Sequence, residues 1–220
     1  PSIANGEVAR SPLRHIDTIA ACSRQDHGVS RETKVKLERY VGLLEQWRQR
    51  MNLIGPREMD HIWARHVLDC AQLIPVVGLD SQVLDIGSGA GFPGLVLACA
   101  AADGEGHVTL VESVGKKCAF LSAVISDLGL SASVSNNRVE ALEVKPVDFV
   151  TARALAPLPR LIEYAAAWIG KGATALFFKG EHWREELTQA QECWNLAYEA
   201  IPSRTNETGV ILKIMEATRV

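Results

Sequence analysis

A chain of 220 residues with 47% hydrophobic and 22% charged content is long enough to bury a substantial core as one domain, or one domain with an appendage. Its net charge of −3 and pI near 6.1 argue against a protein that coats nucleic acid nonspecifically, while leaving room for a local basic face. No apolar run reaches membrane-spanning length and no secretory pattern opens the chain, so a cytoplasmic protein is expected.

Residues 1–28, with Gly6, Pro12 and weak periodicity, are expected to be poorly ordered or a loose first helix. Residues 29–78 read as a helical cap. Ser30 has the character of an N-cap with Glu32 in the first turn, and Leu37, Val41, Leu44, Trp47 and Met51 recur at helical spacing. The opposite face carries Lys34, Lys36, Arg39 and Arg48. Gly55 and Pro56 end this helix, and a second is expected from about Glu58 to Ile74. Its apolar stripe is Trp63, Val67, Cys70, Ala71 and Ile74; Arg65 and Asp69, four apart on the other face, are placed to form an exposed ion pair.

The stretch Val83 to Gly94, V-L-D-I-G-S-G-A-G-F-P-G, organises the chain beyond it. A short apolar strand is broken by Gly87, Gly89 and Gly91, which permit positive φ and close approach of a ligand to backbone. Pro93 opens a buried helix whose first amides would face that ligand. Phe92 stands where a dinucleotide fingerprint needs its third glycine, so a nicotinamide cofactor fits poorly. The pattern Asp-x-Gly-x-Gly-x-Gly instead resembles the first motif of class I S-adenosylmethionine-dependent methyltransferases, and that resemblance implies that Asp85 helps fix the amino-acid end of the cofactor. His107 to Glu112 is a β-branched strand ending in a carboxylate suited to two ribose hydroxyls, which makes Glu112 a cofactor candidate.

Helix and strand go on alternating, as in a parallel sheet covered on both faces. Lys116 to Leu128 is a helix with Cys118, Leu121, Val124, Ile125 and Leu128 inward, and Ala132 to Ser135 is a strand. The loop Asn136 to Glu140 suits an adenine, with a backbone N–H at Val139 or Glu140 and the Glu140 carboxylate. Asp148 to Thr151 is a strand, after which Arg153 can hold an anion in bidentate fashion. A helix to about Ile169, a strand Ala173 to Phe178 ending at Lys179, a helix near Glu185 to Trp194, and strands Leu196 to Ile201 and Val210 to Met215 complete the chain. Cys22, Cys70, Cys99, Cys118 and Cys193 are scattered among apolar residues and read as reduced core thiols. The histidines form no metal-ligand array, and no metal is expected.

Together, Trp47 with Met51-Asn52-Leu53, Arg65-His66-x-x-Asp69, the Asp85 to Gly94 turn, Lys116-Lys117 with Phe120-Leu121, Asn137-Arg138-Val139-Glu140, Ala152-Arg153-Ala154 and Phe178-Lys179-Gly180 resemble the bacterial RsmG (GidB) family. That resemblance implies a class I methyltransferase α/β fold, a mostly parallel seven-stranded sheet over residues 79–220, that uses S-adenosyl-L-methionine to methylate guanine N7 in the 530 loop of small-subunit (16S) ribosomal RNA. It further implies cofactor contacts at Asp85, Gly87, Gly89, Phe92, Val139, Glu140 and Arg153, with Glu112 near the ribose. Asn52, Arg65, His66, Arg138 and Lys179 would face the RNA, and Arg153, Arg138 and Lys179 would serve catalysis. The partner implied is small-subunit RNA or the small ribosomal subunit, met by a monomer. A serine often precedes the Arg-Ala pair in the family; here it is Ala152. N7 of guanine is already an unprotonated acceptor, so no nucleophile or base motif is required. A small-molecule methyltransferase would share the cofactor site without needing Lys34, Arg48, Arg65 and Arg138 on one face with the cleft. A noncatalytic cofactor-binding or assembly protein is the third reading.

Overall fold

The computed structural model describes residues 29–220. The expectation for residues 1–28, and for Cys22, lies outside the described residues. Ser30 caps helix α1 (Arg31–Arg48), its Oγ accepting from Thr33 N at 2.9 Å. The second cap helix is not continuous. Helix α2 (Pro56–Met59) is followed by a π-helical turn (Trp63–Val67), then α3 (Leu68–Ala71) and α4 (Ile74–Val77). The expected stripe survives, since Trp63, Val67, Cys70, Ala71 and Ile74 are all buried. The widened turn, however, redirects the polar residues, because a π turn inserts one extra residue and rotates the helix beyond it.

The sheet strands are β1 (Gln82–Ile86), β2 (His107–Val111), β3 (Ala132–Ser135), β4 (Phe149–Arg153), β5 (Thr174–Lys179), β6 (Trp194–Pro202) and β7 (Val210–Arg219). Their order is β3-β2-β1-β4-β5-β7-β6. The first five are parallel neighbours, β7 runs antiparallel to β5, and β6 antiparallel to β7. The order reverses between β1 and β4, so the carboxyl ends of these strands open a crevice. Central strand residues such as Leu84, Ile86, Val150 and Ala175 are apolar and buried, as a sheet covered on both sides requires.

Helices α5 (Gly94–Ala101), α6 (Gly115–Leu128) and the cap share one apolar cluster, in which Leu37, Tyr40 and Leu44 join Leu95, Val96, Phe120 and Leu121. Helices α7 (Leu158–Ile169) and α8 (Trp183–Gln191) form the second cluster with Leu161, Ile162, Phe177 and Leu212. Two boundaries differ from expectation. Helix α8 ends at Gln191 and Trp194 opens β6, stacked under the Arg219 guanidinium at 4.2 Å; β7 in turn runs on to Arg219 because β6 pairs with it that far. Cys70, Cys99 and Cys118 are buried thiols, whereas Cys193 is exposed in the turn between α8 and β6.

Candidate functional site

The glycine turn is built from backbone. Gly87, Gly89 and Gly91 have φ of 71°, 56° and 101°, the left-handed region open to glycine. The amides of Gly87 and Ser88 both donate to Val111 O, at 2.9 and 3.0 Å, which ties the turn to β2. Tyr40, fully buried, donates from its hydroxyl to Ala90 O at 2.6 Å and so clamps the cap onto the same turn.

Asp85 lies beneath the turn rather than in the crevice. It is 0% exposed; Oδ1 accepts from Thr151 Oγ at 2.8 Å and Oδ2 from Gly94 N at 3.2 Å. Leu95 N donates to Gly91 O at 2.8 Å. The first amides of α5 are therefore directed inward and do not face a ligand as expected. Burial pushes the Asp85 carboxyl up to about 6, against the pull of its hydrogen bonds from Ser88, Thr151 and Gly94. Phe92 likewise packs inward, its ring 5.5 Å from that of Tyr40 and 5.1 Å from that of His66.

Glu112, just past β2, does line the crevice. Its Oε2 accepts from Gly89 N at 3.0 Å and its Oε1 from Val114 N at 2.8 Å, which fixes the carboxylate and leaves each oxygen a further lone pair. Val139, Glu140 and Ala141 form a 3₁₀ turn, whose leading N–H groups have no partner within the turn. The Glu140 carboxyl is held below the usual range, chiefly by its own backbone N–H, and pairs with Arg160 at 3.1 Å. Gly87, Glu112, Asn137, Arg138, Val139, Glu140, Leu155 and Tyr164 enclose a cavity of about 110 Å³. Leu155, partly exposed, lies over Gly87 and keeps this space small.

The residues present fit S-adenosylmethionine. Gly87, at φ of 71°, holds a backbone conformation that side chains rarely adopt, and a Cβ there would come within 2.5 Å of the Leu155 side chain. Glu112 offers a carboxylate for a diol, and Val139 and Leu155 offer apolar surface for a flat ring.

A second crevice lies across the β4 end, about 290 Å³ in volume, lined by Asp69, Arg153, Phe178, Lys179, Glu186 and Ser203 among others. Arg153 belongs here and not among the residues of the first crevice. Its Nη2 donates to Arg65 O at 2.6 Å and pairs with Asp69 Oδ2 at 3.3 Å, and its Nη1 lies 2.8 Å from His66 Nδ1. Arg153 thus meets the Asp69 carboxylate through one nitrogen only, not in the bidentate fashion expected, and is directed at the cap. Asp69 is buried and pairs with Arg153, not with Arg65, because the π turn swings it inward. Its Oδ1 also accepts from Gln72 Nε2, Ser203 Oγ and Thr205 Oγ at 2.9, 3.1 and 2.7 Å, which anchors the β6–β7 loop to the cap. Burial first, and Arg153 second, hold the His66 imidazole down to about 4, so at neutral pH it is uncharged and Nδ1 accepts from Arg153. Lys179 donates to Ala156 O at 3.2 Å and pairs with Glu186.

The crevices adjoin, since Ala154, with φ of 52°, lines the second and Leu155 the first. Arg138 lines the first, and the Arg65 carbonyl holds Arg153 beside the second; Asn52 is exposed in the turn after α1. Of the four cations sought on one face with the cleft, Arg138 lines the first crevice, and Lys34, Arg48 and Arg65 are in the lining of neither. Arg48 is paired to Glu45 at 3.1 Å. Sequence reasoning missed Tyr40, Thr151, Glu186 and Ser203. Only Glu186 carried a signal, as an acid in the first turn of a helix following a strand end. Among the described residues no group of His, Cys, Asp or Glu is arranged to hold a metal, and no helix is long and apolar enough to cross a membrane.

The family model described as rRNA small subunit methyltransferase G matches residues 33–210. A ribosomal RNA small subunit methyltransferase G from Hyphomonas neptunium is 56% identical over 191 residues, covering 87% of this chain and 91% of its own. Its counterpart from Rhodospirillum rubrum is 47% identical over 195 residues, covering 88% and 96%. Among solved structures, a SAM-dependent methyltransferase from Aquifex aeolicus superposes with a TM-score of 0.56 at 14% identity, over 74% of this chain and 99% of its own, which is a likeness of fold.

Proposed function

The chain belongs to the rRNA small subunit methyltransferase G family, and from that premise we propose that it transfers the methyl group of S-adenosylmethionine to N7 of a guanine in the 530 loop of small-subunit ribosomal RNA. The observation that carries this reading is the pair of crevices sharing the Arg153 to Leu155 ridge at the carboxyl ends of the strands. The first, with Gly87, Gly89, Glu112, Val139 and Glu140, holds the cofactor. The second takes the acceptor base, extruded from the RNA, with Phe178 as an apolar wall.

When bound, the cofactor supplies a sulfonium methyl; the N7 lone pair takes the carbon as the C–S electrons return to sulfur, and no proton need leave beforehand. Positioning therefore carries the rate. Methylation leaves the purine ring positively charged, which unpaired cations beside it would oppose. Here Arg153 is matched by Asp69 and Lys179 by Glu186, so the second crevice holds hydrogen-bond donors without a net positive field. Arg138, Arg65 and Asn52 sit outside these pairs, placed for the phosphate backbone.

The test is transfer of tritium from methyl-labelled cofactor to small-subunit RNA or small subunits, with the site located by borohydride and aniline cleavage, which cuts at 7-methylguanosine. One labelled, cleavable guanine in the 530 loop is expected. Label that resists this cleavage, or that stays in small molecules, contradicts the reading.

A further inference from the structure

We infer that the Lys179–Glu186 pair reads the Watson–Crick edge of the acceptor base and makes Glu186 the residue that selects guanine. This rests on the reading that the second crevice takes that base. Proteins most often recognise guanine by a bidentate arginine on O6 and N7. That route is closed here, because N7 must stay open to receive the methyl group. Discrimination has to come from O6 together with N1–H and the N2 amino group.

The second crevice offers the matching row. The Lys179 ammonium is a donor, fixed by Ala156 O at 3.2 Å and by the Glu186 carboxylate. Glu186 Oε2 accepts from Lys179 and, at 2.6 Å, from Leu158 N; neither bond uses Oε1. Cytosine presents guanine with a donor beside two acceptor lone pairs; here O6 meets the ammonium, and the two lone pairs of Glu186 Oε1 are left for N1–H and N2–H. Adenine would set its amino group against the ammonium and its N1 lone pair against the carboxylate, a mismatch at both points. The other carboxylate lining the crevice is not available for this, since Asp69 already accepts from Gln72, Ser203 and Thr205 and pairs with Arg153. The Lys179 side chain is 9% exposed and that of Glu186 25%, so an unmatched group there is poorly rescued by water.

The experiment crosses two changes. Small subunits are reconstituted around RNA carrying guanosine or inosine, which lacks the N2 amino group, at the methylated position, and each is methylated by wild type and by E186Q. The glutamine keeps an oxygen for Leu158 N, and heat of binding of the demethylated cofactor checks that the fold is intact. For wild type, kcat/KM is expected to fall about tenfold or more on inosine, the scale of one hydrogen bond to a charged group. E186Q is expected to lose a similar factor on guanosine and to show almost no further loss on inosine. Equal rates of wild type on the two RNAs overturn the assignment. So do losses that multiply in the fourth combination, because they mean that Glu186 acts without touching N2. A wild-type protein that methylates neither RNA fails the proposed function itself, and the assignment with it.

Discussion

The two crevices meet at one ridge yet are made of different materials. The first is backbone: a turn of three left-handed glycines, amides on Val111 O, and Glu112 reaching 23 residues back to Gly89 N. The second is charged side chains gathered from distant parts of the chain, with Arg153 meeting His66 across 87 residues and Ser203 meeting Asp69 across 134. A site of backbone tolerates changes in its neighbours and fails when a Cβ intrudes. A site of ion pairs fails when one partner is removed, because the other is left as an unmatched buried charge.

The largest effect is expected from Arg153→Ala. It strips the guanidinium from Asp69, His66 and Arg65 O at once, leaving a half-buried pair broken, with side-chain exposures of 19% and 12%. Stability is expected to fall by about 3 kcal/mol. As the cap loses its tie to the end of β4, kcat/KM for RNA is expected to fall at least about a hundredfold. Cofactor affinity, by titration calorimetry, should stay within about threefold of wild type. A variant that keeps RNA methylation but loses cofactor binding would move Arg153 to the other side of the ridge.

Gly87→Ala is the converse. The added Cβ would come within 2.5 Å of Leu155 in a residue already at φ of 71°. Strain on the order of 1–3 kcal/mol is expected, along with at least about a tenfold loss of cofactor affinity. Arg153 and its partners are untouched, so RNA binding measured without cofactor should be unchanged. Unaltered cofactor affinity would show that the turn is not the floor of that site.

This contrast also explains what the amino-acid sequence disclosed. The strand, glycine turn and helix around Asp85, the acid at Glu112 and the turn at Val139 are local patterns, and each lands within a residue or two of its expected place. The mostly parallel sheet followed from the alternation of helix and strand, whereas its strand order did not. The second crevice was not legible in the same way. Whether Asp69 pairs with Arg65, four residues away, or with Arg153 depends on a π turn that no periodicity announces. Glu186 gains its place only when α8 packs beside Lys179 and the start of α7. Phe92 and Asp85, read as cofactor contacts from their motif, face inward because the turn they belong to needs support from beneath.

The smallest effect sharpens that last point. In Asp85→Asn, Oδ1 can accept from Gly94 N while Nδ2 donates to Thr151 Oγ, so both bonds beneath the turn keep a partner. The fold and the cofactor site should survive, and what changes is the response to pH. The folded-state pKa of Asp85, near 6, lies above the ordinary 3.8, so the native protein holds the extra proton between those values. Its contribution to stability is therefore present at low pH and is lost as pH rises through about 6. His66, pushed down to about 4 from 6.5, acts in the opposite sense: the unfolded chain binds that proton first, and stability is lost as pH falls from 6.5 toward 4. In wild type the two slopes oppose one another across this window, whereas in Asp85→Asn only the His66 slope remains. Urea midpoints taken from neutral pH downward should show wild type gaining on the variant by on the order of 1–2 kcal/mol. Parallel curves for the two proteins would mean that Asp85 keeps an ordinary carboxyl pKa and is not sealed beneath the turn.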